Sequence, residues 1–192
     1  MATTSKQVVF MKAKRVYIRP YLETDIPLLV KWYNDHDNTL SFLGNPLPKT
    51  EGEEGAWLAS LAGDHSAPSN IVFMIVLCKG NIPIGGMGLH GINWIDRKAF
   101  TGAAIGEKKY RDKGYASEAK QLVLRFAFES LGLNRIASFV IATNLRSIAY
   151  NKKCGYQVEG ILREAKFSKG IFVDEVYMSI LRKDWDKRKK KK

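Results

Sequence analysis

A mixed α/β domain is the fold class that the sequence predicts, with a mostly antiparallel central sheet, one parallel strand pair and flanking helices. Three observations point to it. β-Rich apolar runs at Ile71 to Cys78 and Ile82 to Leu89 flank Lys79-Gly80-Asn81, the pattern of a hairpin. Between Ala116 and Leu131, the residues Ala119, Leu122, Val123, Phe126, Ala127 and Leu131 trace one helical face. The almost wholly apolar run Ile136 to Ala142 follows that helix, and a strand-helix-strand crossover of this kind implies a buried parallel pair.

The remaining elements follow from local pattern. Val16 to Arg19 alternates as a strand does, and Thr24 stands where a helix N-cap belongs, ahead of Ile26, Leu29, Val30 and Tyr33. Asn45-Pro46-Leu47-Pro48 breaks the chain before a second helix over Glu51 to Leu61, where Glu51, Glu53 and Glu54 complement the dipole. On the hairpin's return leg, Pro83 and Gly85-Gly86 predict an edge or bulged strand. Asn93 to Arg97 reads as a turn and Ala99 to Ile105 as a strand rich in small residues. Gly132 is placed as the C-terminal stop of the long helix. Asn144 can cap a short helix bearing Leu145, Ile148 and Ala149, ended by Gly155. Two last strands, Gln157 to Phe167 and Phe172 to Leu181, turn around Lys169-Gly170.

A chain of 192 residues with 45% hydrophobic and 26% charged residues suits one ordinary globular domain, taken as residues 1–186, with 187–192 as a basic tail. Cys78 and Cys154 are the only cysteines, with no C-x-x-C pair, so no metal site is expected. Met1 to Gln7 lacks the apolar core of a signal peptide, and Ile71 to Cys78 is too short to span a bilayer, which leads to the expectation of a cytoplasmic protein without membrane contact. Half of the net charge of +12 sits in Lys187 to Lys192, readable as a solvated terminus or as a contact for ribosome or RNA.

Glu107 to Ala116 is a basic, glycine-bearing turn that opens directly into the long helix. The first helical N–H groups lack intrahelical acceptors, the dipole adds positive charge, and Gly114 admits close approach, so the turn can bind an anion.

Within it, R-D-K-G-Y-A at Arg111 to Ala116 resembles the coenzyme A signature (Q or R)-x-x-G-x-(G or A) of the GNAT superfamily of N-acetyltransferases. N-L-R-S-I-A-Y-N-K-K-C-G-Y at Asn144 to Tyr156 resembles that family's second cofactor segment. E-G-I-L-R-E at Glu159 to Glu164 and V-D-E-V-Y-M-S-I-L at Val173 to Leu181 are similar to its ribosomal-protein and polyamine branch. The resemblance spans roughly Val16 to Trp185 and implies a GNAT fold whose parallel strands splay apart. It also implies acetyl-coenzyme A as cosubstrate. Its pyrophosphate is expected on the backbone amides of Arg111, Lys113, Gly114, Tyr115 and Ala116, with Asp112 in the same loop. Its pantetheine arm is expected along Ala103, Ala104 and Ile105, with Asn144, Ser147 and Asn151 completing the site.

Acetyl transfer needs a neutral amine, although an alkylamine has a pKa of about 10, and a stabilised thiolate, although a thiol sits near 8.5. Ser147 is the family-matched partner for the sulfur, with helix capping as its structural alternative. The tyrosine that many members carry seven residues after the Asn is Asn151 here, and Tyr150, one helical step of about 100° aside, stands as the candidate catalytic tyrosine. The glutamate often found two residues before the strand's Gly is Phe100. Glu164 becomes the candidate base, on the argument that a two-residue offset keeps it on the face of the branch's acidic residue, which aligns with Lys166; an ordinary cross-strand ion pair competes, and Asp174 and Glu175 are further options. Cys154 has no paired His, and His36, His65 and His90 are scattered, so none carries a catalytic assignment.

These readings converge on an N-acetyltransferase acting on a protein N-terminus, a polyamine or another small amine. A polyamine acceptor could draw on Glu51, Glu53 and Glu54, and the resemblance implies a homodimer through the last strands. Two alternatives stay open: a coenzyme-binding regulatory protein with impaired catalysis, suggested by Phe100 and Asn151, and a ribosome- or RNA-associated protein.

Overall fold

The computed structural model describes residues 8–35, 47–61, 66–168 and 170–189. His36, His65, Met1 to Gln7, Asn45-Pro46, Lys169 and the last three lysines of the tail lie outside them. In chain order the elements are β1 (Met11–Lys12), β2 (Val16–Arg19), α1 (Ile26–Asn34), α2 (Glu51–Ser60), β3 (Ile71–Leu77), β4 (Ile82–Asn93), β5 (Lys98–Ile105), α3 (Tyr115–Arg125), β6 (Arg135–Ile141), α4 (Leu145–Cys154), β7 (Gln157–Ser168), β8 (Ile171–Leu181) and α5 (Arg182–Lys189). They build an eight-stranded sheet of order β1-β2-β3-β4-β5-β6-β8-β7, antiparallel except for the pair β5 and β6. This is the predicted architecture, with the parallel pair where the crossover placed it.

Strand alternation explains why β2 and β3 are buried on both faces. Val16, Ile18, Phe73, Ile75 and Leu77 point into a large core shared with α3, whereas Tyr17, Met74 and Val76 join Leu29 and Trp32 of α1 on the other side. Each such apolar side chain contributes about 1.5–3 kcal/mol on burial, so these two strands anchor both layers.

Several local expectations change. Thr24 is not an N-cap: a 3-10 turn, Glu23–Asp25, precedes α1, and the buried Asp25 carboxylate instead accepts the Leu22 N–H at 2.8 Å and the Arg19 guanidinium at 2.6 and 2.8 Å. A bidentate charged pair outcompetes a hydroxyl cap. Strand β4 is bulged as Pro83 and the glycines predicted, since the register jumps from Ile75↔Gly85 to Val76↔Pro83, but it is central rather than an edge. Pro83 is accommodated at that bulge. The long helix changes to a π-helical turn at Phe126–Ser130, ahead of Gly132 at φ +64°.

Candidate functional site

The parallel pair is short. Its ladder holds only Lys98↔Arg135, Ala99↔Ile136 and Phe100↔Ala137, while β5 runs on to Ile105 and β6 to Ile141. Beyond Phe100 the strands part, leaving backbone of β5 without a strand partner on that side, although β4 still pairs with it through Gly85↔Ile105. The sheet therefore opens a wedge at the level of Thr101 to Ile105.

At the mouth of the wedge stands the turn before α3. Asp112 at φ +59° and Gly114 at φ +80° curl the backbone, and the first α-helical bond is Glu118 N–H to Gly114 O, 3.2 Å. The amides of Tyr115, Ala116 and Ser117 hence lack intrahelical acceptors. Arg111 departs from expectation: its amide donates to Lys108 O at 3.1 Å, and its side chain reaches back to Ile105 O at 3.0 Å and Gly106 O at 3.2 Å, tying the turn to the end of β5. Arg15, which the sequence did not single out, locks the turn from outside. It pairs with Glu118, donates to Lys113 O at 2.9 Å and lies over the Tyr115 ring at 4.7 Å.

A cleft of about 330 Å³ joins these parts. Ala103, Ala104 and Ile105 form one wall, Arg111, Asp112, Gly114, Tyr115 and Ala116 another, and Asn144, Ser147 and Tyr150 the third. Asn144 caps α4, its Oδ1 accepting the Ser147 N–H at 3.0 Å, so the cap positions the hydroxyl-bearing residue on the cleft. Arg146 donates to Asp112 Oδ2 at 3.1 Å and bridges α4 to the turn. Lys113 faces a neighbouring basic hollow with Arg15, Lys153 and Arg188. Burial raises the Tyr150 phenol well above its ordinary value.

Asn151 lies deeper. It accepts a 2.6 Å hydrogen bond from Lys120 Nζ and donates to Ser147 O at 2.9 Å. Lys120, on α3, is 1% exposed and opens on a hollow of about 160 Å³ between Thr101 to Ala103 and Ser138 to Ile141. Burial pushes its ammonium pKa down to about 7. A signal existed: Lys120 falls three, four and seven residues before the core residues Val123, Leu124 and Ala127.

Glu164 does not reach the clefts. It sits exposed at φ +50° in a bulge where the register jumps from Leu162↔Glu175 to Lys166↔Val173, with its N–H bound to Asp174 Oδ1 at 2.9 Å. The two-residue offset fails because the bulge breaks strand alternation. Glu175 and Lys166 border the hollow of Lys120 instead. Glu51 is exposed and Glu53 is engaged in a capping box with Thr50, so neither lines a cleft. Cys154 is buried and its thiol is pushed up by that burial, which suits packing.

A second cleft of about 220 Å³ meets the first at Ala103 and Ala104. Its walls are Tyr21, Trp32, Tyr33, Trp57 and His90, with Gly86, Gly88, Gly102 and Gly106 giving it depth. Glu107 accepts from Trp32 Nε1 at 3.1 Å and holds the indole. Glu54, 3% exposed, has one carboxylate oxygen without a hydrogen-bond partner and Lys49 Nζ at 3.9 Å from the other. Burial raises the Tyr33 phenol, and the Glu54 charge adds to that rise. His90 is held below its ordinary 6.5 by burial, so the imidazole is neutral at pH 7. It was missed because one histidine on a glycine-rich strand carries no motif; its pairing with Phe100 became visible only with the β4–β5 register.

Among the described residues no helix is long and apolar enough to cross a membrane. A family model described as an acetyltransferase (GNAT) domain matches residues 15–157. A Bacillus subtilis (strain 168) protein with the provisional name ribosomal N-acetyltransferase YdaF is 33% identical over 105 residues, which is 55% of this chain and 57% of that protein. An uncharacterized N-acetyltransferase, p20 of Bacillus licheniformis, is 28% identical over 90% of this chain and 96% of its own. The crystal structure of a Vibrio cholerae spermidine N-acetyltransferase in complex with CoA and spermine superposes with a TM-score of 0.81 at 23% identity, covering 88% of this chain and 97% of that one.

Proposed function

The chain belongs to the acetyltransferase (GNAT) family, and from that membership we propose that it transfers an acetyl group from acetyl-coenzyme A to a primary amine by direct attack. The observation that carries the reading is the meeting of the two clefts at Ala103 and Ala104. One cleft has free helix amides at its mouth, and the other is walled by aromatic rings. The amides of Gly114, Tyr115 and Ala116 suit a diphosphate, with Arg15 and Lys113 adding charge nearby. The unpaired edge of Ala103 to Ile105 suits a peptide-like arm, which would bring the thioester to the junction.

The aromatic cleft suits an ammonium-bearing acceptor, since ring faces attract cations and Glu54 adds negative potential behind Tyr33. Attack requires the amine lone pair. Neutral His90, on the wall of this cleft, is the group we assign to take the proton, directly or through one water. Ser147 is assigned to donate a hydrogen bond towards the sulfur. Polyamine and protein N-terminal acceptors both meet these requirements; the name of the V. cholerae enzyme points to the first, and that of YdaF to a ribosomal acceptor. A homodimer fits the apolar residues exposed along β7 and β8, among them Ile161 and Phe172.

Calorimetry with coenzyme A and a consumption assay of acetyl-coenzyme A against spermidine, free-N-terminal peptides, amino acids and aminoglycosides test the reading together. Binding in the micromolar range and turnover with one acceptor class are expected, and absence of heat with either form of the cofactor would overturn it. In the active pairing, His90→Gln is expected to lower kcat at least 10-fold and flatten the acidic limb of the pH profile.

A further inference from the structure

Lys120 has a setting that packing does not require. A lysine buried at this depth is costly unless a carboxylate neutralises it, and among the described residues none of the ion pairs includes it. Its Nζ is instead held by the Asn151 amide oxygen at 2.6 Å and between two rings, 4.2 Å from the centroid of Tyr156 and 4.9 Å from that of Tyr150. An aliphatic side chain of the same length would fill the space without that cost. The amide orientation of Asn151 is itself fixed, because its Nδ2 is committed to Ser147 O.

The position relative to the first cleft gives the cation a use. Ala103, Asn144, Ser147 and Tyr150 line both that cleft and the hollow on which Lys120 opens, so the two spaces adjoin. Lys120 and Ser147 both border the hollow, the cation from α3 and the hydroxyl from α4, and Ser147 borders the first cleft as well. We propose that Lys120 is the acid of the transfer, its ammonium giving a proton to the sulfur as the carbon–sulfur bond breaks. This rests on the acetyl-transfer reading above.

The step balances as follows: the amine nitrogen bonds to the carbonyl carbon, and the carbon–sulfur bond breaks with its electron pair passing to sulfur. The Lys120 proton converts the thiolate to the thiol. The proton displaced from the amine nitrogen leaves to His90 or water, and Lys120 regains its own from solvent before the next turnover. A pKa of about 7 makes the ammonium a stronger acid than a thiol near 8.5, whereas a serine hydroxyl is far weaker than either. The titratable groups around Nζ are Tyr150 and Cys154 on α4, Tyr156 just after it, and Lys166 and Glu175 across the hollow. Burial raises the two tyrosines and the cysteine, which keeps them neutral at pH 7.

The test uses the full chain with whichever acceptor the consumption assay turns over. Lys120→Met keeps the volume and removes an uncompensated charge, so the fold is retained. It is expected to lower kcat about 100-fold, to abolish the alkaline limb of the kcat/KM profile, and to leave the Kd for coenzyme A within about 2-fold. Asn151→Asp sets a carboxylate against Nζ and is expected to move the alkaline limb up by about one pH unit or more. A merely structural lysine would move neither limb. Unchanged kcat and an unchanged alkaline limb in Lys120→Met, or an unmoved limb in Asn151→Asp, would overturn the assignment while coenzyme binding persists. No binding of coenzyme A by the unsubstituted chain would overturn the acetyl-transfer reading as well, which tells the two failures apart.

Discussion

Gly106 is the residue on which the aromatic cleft turns. Its N–H closes onto Ile84 O at 3.0 Å, and a Cβ added there would stand 2.1 Å from Cδ2 of Trp32. The indole is buried and tethered through Nε1 to Glu107, so moving aside would break that hydrogen bond or fill the cleft it lines. Gly106→Ala is expected to cost about 1–3 kcal/mol in denaturant unfolding and to raise the acceptor KM at least 10-fold, with coenzyme A affinity near the parent value. Single residues were also the hardest to read from sequence. Ser147 and Asn144 came with a motif and sit on the first cleft, whereas His90 and Lys120 gain their meaning from neighbours 10 and 31 positions away, Phe100 and Asn151. Such pairings are set by strand register and helix packing, which no local pattern encodes.

At the scale of elements the sequence said more. Hydrophobic period and turn residues sufficed for β3, β4, β5, α3, β6 and α4 to within a few positions. They failed where tertiary interactions override local preference. Two-residue β1 exists only as a rung on β2, α5 is polar almost all round and is held by Trp185 against Phe128 at 5.9 Å, and the bulge at Glu164 follows no turn signal. The turn before α3 illustrates the opposite case, in which one glycine dictates the geometry. Gly114 stands at φ +80° as the N-cap, and a Cβ there would lie 3.1 Å from Arg15 Nη2. Gly114→Ala should therefore add about 1–2 kcal/mol of backbone strain and weaken coenzyme A binding about 10-fold by calorimetry, while leaving the acceptor cleft intact.

Over the whole molecule, charge and apolar surface are distributed unevenly. Lys187, Arg188 and Lys189 of the basic tail belong to α5, where Lys189 reaches Glu129 at 2.7 Å and Arg188 donates to Lys153 O at 3.0 Å. The far edge of the sheet is apolar instead: Ile161, Phe167, Ile171 and Phe172 are each at least 60% exposed on the β7–β8 hairpin. A patch of this kind on a strand edge is unusual for an isolated monomer. Light scattering is expected to report a dimer, and Ile161→Lys combined with Phe172→Lys a monomer with both clefts preserved.

The three-pair seam between β5 and β6 has a kinetic corollary. With only three rungs joining β5 and β6, an acyl donor bound as proposed would act as a missing strand in the wedge as well as a reagent. The aromatic cleft takes part of its lining, Ala103 and Ala104, from the same strand that such a donor would pair with. On the proposed acetyl-transfer reading, product-inhibition kinetics are expected to show compulsory order, the donor entering first and its spent thiol departing last.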